Sequence, residues 1–145
     1  MVHAETQRKK RDAEGIVIPI DELSSMAIEE SIAIHQELGP GLFESVYESV
    51  LTGRLRKRGL KVQRQIQVKA VFDGETYDPV FKIDILVEER LVLEVKAIEQ
   101  LTKTNAKQLL TYLRLLKQPV GLLLNFSQAT MKDGIRRVVN DYKPE

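Results

Sequence analysis

Apolar residues first recur with helical spacing, at Ile28, Ile32, Ile34 and Leu38, which predicts a helix from near Ser24 with Asp21 or Ser24 as its cap. Gly39-Pro40-Gly41 then breaks the chain. A second helix is predicted over residues 42–58, with Phe43, Val46, Tyr47, Val50, Leu51 and Leu55 as its apolar stripe and Gly59 as its stop. Beyond Gly59 the period changes to two. Strands are predicted over residues 62–72, 80–87 and 91–98, with Asp73-Gly74 as a turn. Helical spacing returns over residues 104–117, with Leu109, Leu110, Leu113 and Leu116 inward. Val120-Gly121-Leu122-Leu123-Leu124 is apolar on both parities, the pattern of a strand covered on both faces. A last helix is predicted over residues 128–142. The order ααβββαβα describes an α/β fold with helices packed on a sheet. Residues 1–15 read as a flexible N-terminal tail and residues 16–145 as one domain.

The second and third strands form the informative hairpin. Parity puts Phe81, Ile83, Ile85 and Val87 on one face, with Lys82 and Asp84 on the other. In the next strand Leu91, Leu93, Val95 and Ala97 share a face, and Glu94 and Lys96 share the opposite one. A three-residue loop, Glu88-Glu89-Arg90, pairs Val87 with Leu91 and joins the two apolar sets. A two-residue loop would set apolar residues across from polar ones, so burial selects the longer loop. In that register Asp84 lies opposite Glu94, and Lys82 opposite Lys96. Like charges so placed are destabilising, and covering the sheet adds a desolvation cost. One answer is a proton or a hard divalent cation between the carboxylates. The other is an exposed sheet face, where Lys82 and Lys96 form ordinary salt bridges with Asp84 and Glu94.

Composition narrows the classes. The chain has no cysteine, which removes disulfides and Cys-based zinc sites and fits a reducing cytoplasm. No apolar run reaches the length of a membrane span. There is no P-loop, GxSxG or GxGxxG. The net charge of +1 says nothing about nucleic acid, but its distribution does. Arg54, Arg56, Lys57, Arg58, Lys61 and Arg64 follow one another without an acidic residue between them. Such a stretch is either a phosphate-binding surface or a solvated helix end favoured by the macrodipole.

Asp84 followed by Glu94-Val95-Lys96 resembles the D…ExK pattern of the PD-(D/E)xK nuclease superfamily. Gly41-Leu42-Phe43-Glu44-Ser45-Val46-Tyr47 resembles the signature of the GxxExxY proteins, a bacterial family within it. Leu38-Gly39-Pro40-Gly41, Gln108-Leu109-Leu110-Thr111-Tyr112-Leu113 and Gly121-Leu122-Leu123-Leu124-Asn125-Phe126 extend the resemblance across residues 24–126. It implies a restriction-endonuclease-like αβββαβ core with a mixed central sheet flanked by helices. It also implies Mg²⁺ or Mn²⁺ held by Asp84, Glu94 and the carbonyl of Val95. Lys96 would orient water or stabilise charge, Glu44 would complete the acidic cluster, and Gln108 would line the site. Two positions depart from the pattern: Ile83 stands where the superfamily motif often has Pro, and Asn105 where the family carries His.

Residues and resemblance together point to a metal-dependent phosphodiesterase acting on DNA more than RNA, with low sequence specificity. Cutting both strands needs two sites, which a homodimer would provide, although no oligomerisation signal is visible. The rival readings are a catalytically inactive module that binds nucleic acid or a partner, and a metal-bound structural protein.

Overall fold

The computed structural model describes residues 17–141. The tail expected over residues 1–15 lies outside them. Two helices come first, α1 (Ile20–Leu38) and α2 (Glu44–Lys57). Strands β1 (Val62–Phe72), β2 (Glu75–Val87) and β3 (Leu91–Lys96) follow, then α3 (Lys103–Leu116) and β4 (Val120–Asn125). A 3₁₀ turn (Lys132–Gly134) leads into β5 (Ile135–Val139). The five strands lie in chain order in one mixed sheet: β3 and β4 are parallel, and the other neighbours are antiparallel. This is the expected α/β architecture of a restriction-endonuclease-like core.

Helix α1 starts four residues before Ser24, because Pro19 fixes its entry and Asp21 and Glu22 suit the positive end of the dipole. Its buried stripe is Ile20, Leu23, Ala27, Ser31 and Ile34, while Leu38 is exposed. On α2 the buried apolar positions are Tyr47, Leu51 and Leu55, and Phe43 and Val46 face solvent. Helices α1 and α2 cover one face of the sheet, over Ile85, Val87, Leu93, Val95, Leu122 and Leu124. Helix α3 covers the other, over Ile83, Val92, Leu123 and Val138. The strand β4 is therefore buried throughout, as its apolar run required.

The helix expected over residues 128–142 is not formed. Met131, Ile135 and Val138 have helical spacing, but residues 135–139 pair with β4 instead, Leu122 to Arg137 and Leu124 to Ile135. Three β-branched residues in five favour the strand, and β4 would otherwise expose its hydrogen-bonding edge. Close approach at Gly134 makes this turn: a Cβ there would sit 2.0 Å from the backbone oxygen of Asn125. Gly134→Ala is expected to cost about 3 kcal/mol or more, because the obstructing atom is backbone. A urea midpoint within experimental error of the parent would show that the turn can relax.

The hairpin register is the expected one, with Val87 opposite Leu91, Leu86 opposite Val92 and Ile85 opposite Leu93. Pairing stops there, so Lys82 and Lys96 do not face each other across a ladder. The uniform apolar face expected for β2 is also broken. Ile85 and Val87 pack under α1 and α2, but Phe81 and Ile83 pack on the α3 side. The cause lies in β1, where Gln65 adopts φ 51°. The β1–β2 ladder runs from Arg64↔Ile85 to Ile66↔Ile83 and omits the Gln65–Asp84 pair. Both strands turn over at this point without a change of register; the register shift of this ladder lies farther along, between Val68 and Ala70.

Candidate active site

The seam in the sheet is where the carboxylates gather. With the β2–β3 ladder open, side chains accept the bonds that backbone carbonyls would otherwise take. Val95 N–H donates to Asp84 Oδ2 at 2.8 Å, and Asp84 N–H donates to Glu94 Oε1 at 3.3 Å. The two acids are thus neighbours, as parity predicted, through crossed bonds rather than a flat pair. Glu94 is only 7% exposed. Burial, then the charge of Asp84, pushes its carboxyl up to about 8, although the Asp84 N–H and Lys96 favour the ionised form. Burial also raises Asp84, with a contribution from Glu48, against the Val95 N–H and Lys96. Two groups that both resist ionisation have a strong appetite for positive charge, whether a proton or a cation.

Helix α2 brings two more carboxylates. Glu44, in its first turn, accepts the N–H of Ala97 at 3.0 Å, just past Lys96. Glu48, one turn on, is buried and was not among the sequence candidates. Its oxygens are held by Arg64 at 2.9 Å and by Gln65 at 2.5 Å. The spacing of four from Glu44 is the signal that could have found it. Glu44, Ser45, Glu48, Gln65, Asp84 and Val95 line a cleft of about 200 Å³.

The α3 side supplies an aromatic wall. Tyr112 stacks on Phe81 with ring centroids 3.9 Å apart and 1° between planes. Burial, and then the Glu94 and Asp84 charges, raises the pKa of its hydroxyl. Gln108, one turn before Tyr112 on α3, is exposed. Asn105 acts structurally, since its Oδ1 accepts the Thr102 N–H at 2.9 Å and its own N–H donates to Thr102 Oγ1 at 3.2 Å. This capping box starts α3. Asn125, fully buried, accepts the Ile98 N–H at 3.1 Å and donates to the Ile98 carbonyl at 2.9 Å. It fixes the chain as it leaves β3. Tyr47 stacks on Phe126, and its hydroxyl donates to the Gly39 carbonyl at 2.6 Å, tying the α1–α2 loop rather than a site group.

A model of the PD-(D/E)XK nuclease superfamily matches residues 21–138. The chain belongs to this superfamily. No curated protein and no solved structure matches it. Superfamily nucleases act on nucleic acid and typically use divalent metals. The donor set fits such an ion in kind, because Asp84 and Glu94 offer adjacent carboxylate oxygens with Glu44 and Glu48 close by. Among the described residues no three Asp, Glu or His side chains already form a metal cage. No helix among them is long and apolar enough to cross a membrane.

The basic stretch expected to hold the superfamily's substrate is largely committed inside the protein. Arg54 pairs with Glu37, and Lys61 pairs with Glu89. Arg58 reaches Glu29 at 3.1 Å and Glu30 at 3.5 Å, and Arg64 holds Glu48. Arg56 donates to the Val62 carbonyl at 2.7 Å. Lys57 is exposed, with no ion pair among the described residues. The run reads as free of acids along the chain, but the fold brings acids to it.

Proposed function

We propose that this protein is a metal-dependent phosphodiesterase that hydrolyses nucleic acid, DNA before RNA, and that it is a bacterial GxxExxY-type member of the superfamily. The buried Asp84–Glu94 pair at the break in the sheet carries the reading, with Lys96 two residues along β3. Asp84, Glu94 and the Val95 carbonyl would hold Mg²⁺ or Mn²⁺, with Glu44 exchanging its bond to Ala97 for the ion. When bound, the ion supplies acidification of water and neutralisation of phosphoryl charge. Lys96 places its ammonium group where negative charge develops on the phosphate. Tyr112 shields the α3 side of the carboxylates, and Gln108, one turn before it, lines the solvent edge of that side. Glu48 keeps the acidic wall in place through Arg64 and Gln65.

A second reading, a non-catalytic binding module with the nuclease fold, draws on the internal engagement of Glu44 and Glu48. Incubation with supercoiled DNA, linear DNA and RNA in Mg²⁺, Mn²⁺ or EDTA separates the two. Cleavage is expected only with metal, and Lys96→Ala is expected to slow it by on the order of 10²-fold. Salt-sensitive binding with no cleavage of any substrate would favour the second reading.

A further inference from the structure

We infer that a nucleic-acid strand runs from the acidic centre across Arg136 and along the exposed face of α3, and not along the basic stretch of α2 and β1. This rests on the nucleic-acid reading above and names the surface that reading lacks.

Helix α3 contains no acidic residue. Lys103, Lys107 and Arg114 are exposed, and no side-chain partner holds them among the described residues. At 3.6 residues per turn they fall within an arc of about 40°, about 120° around the helix from the buried Leu109 and Leu113. Arg136 continues this stripe onto the sheet. It pairs with Leu123, and Leu123 pairs with Glu94, so Arg136 stands in the same cross-sheet row as Glu94. Two strand spacings separate them, about 10 Å. Leu123 and Val138 pack beneath α3, which puts Arg136 on the α3 face. Arg136 is exposed and makes no ion pair among the described residues.

Arg136 also borders a cleft of about 520 Å³ whose lining includes Leu101, at the entry to α3, and Asn125, beside Lys96 in register. Glu99 and Asp133 line it as well, and neither pairs with Arg136. Lys96, Arg136, Lys103, Lys107 and Arg114 thus form a path of cations on the order of 30 Å long, enough for about nine stacked base pairs. A polyanionic strand complements it, and backbone contacts of this kind carry no sequence preference.

The test is fluorescence anisotropy of labelled single- and double-stranded oligonucleotides in EDTA, read as the salt dependence of binding. Replacing Lys103, Lys107, Arg114 and Arg136 with glutamine is expected to flatten the slope of log K against log[salt]. The change is about 0.9 for each duplex phosphate no longer neutralised, or 0.7 for a single strand. Lys103→Arg with Lys107→Arg is expected to keep the parent slope. Arg54→Gln with Lys57→Gln is expected to change it by less than the value of one phosphate. The inference is overturned if the α3 set leaves the slope unchanged, or if only the Arg54 and Lys57 set flattens it. It is equally overturned if the α3 set alters the mass in solution without altering binding, which assigns the face to a second copy. Because the readout needs no cleavage, an α3-dependent slope in a protein that never cuts upholds this surface while removing the nuclease reading.

Discussion

Metal-free protein carrying Glu94→Gln is expected to be more stable than the parent at pH 8, by roughly 4 kcal/mol, and no more stable near pH 4.5. The folded carboxyl holds its proton up to about pH 8, while the unfolded one releases it near 4.5. Between those values the folded state binds more protons than the unfolded state, so the parent loses stability as pH rises. Glutamine keeps the oxygen that accepts the Asp84 N–H and has no proton to lose, so the variant escapes that fall. Urea denaturation in EDTA at several pH values checks this, and parallel profiles for the two proteins would dismiss it. Mn²⁺ is expected to raise the parent's midpoint more at pH 8 than at pH 5.5, since protons compete for the same oxygens.

Asp84→Asn should leave the fold intact and the chemistry disabled. An asparagine oxygen can still accept the Val95 N–H that Asp84 now takes at 2.8 Å. The lost negative charge weakens the hold on a cation, and kcat/KM for a labelled oligonucleotide is expected to fall by on the order of 10³-fold. Titration calorimetry with Mn²⁺ should show the weaker binding directly. A loss below tenfold would remove Asp84 from the centre.

What could be read from the chain follows from where each signal resides. The β2–β3 register was legible because loop length and alternation leave one pairing that buries Leu91, Leu93, Ile85 and Val87 together. The break beside it was not. Gln65 sits in a left-handed conformation that its residue type does not announce, and its amide is held by Glu48, seventeen residues earlier. Glu48 itself was in reach, one turn from Glu44. The final helix failed for a different reason: an apolar spacing of three and four fits a helix, and only the open edge of β4 decides for a strand. Charge proved the least legible property. Arg54, Arg58, Lys61 and Arg64 find their acids on α1, on the first turns of α2 and in the β2–β3 loop, all outside the run itself.

The seam at Gln65 and Asp84 also sets a course for directed evolution. Closing the ladder, or filling the Glu94 position with a neutral side chain, removes the two costs concentrated there. A library of this protein screened on heat resistance alone would collect such changes first, and its most robust survivors would lack the carboxylates that the proposed activity needs. Selections for improved variants must therefore score cleavage and stability in the same round.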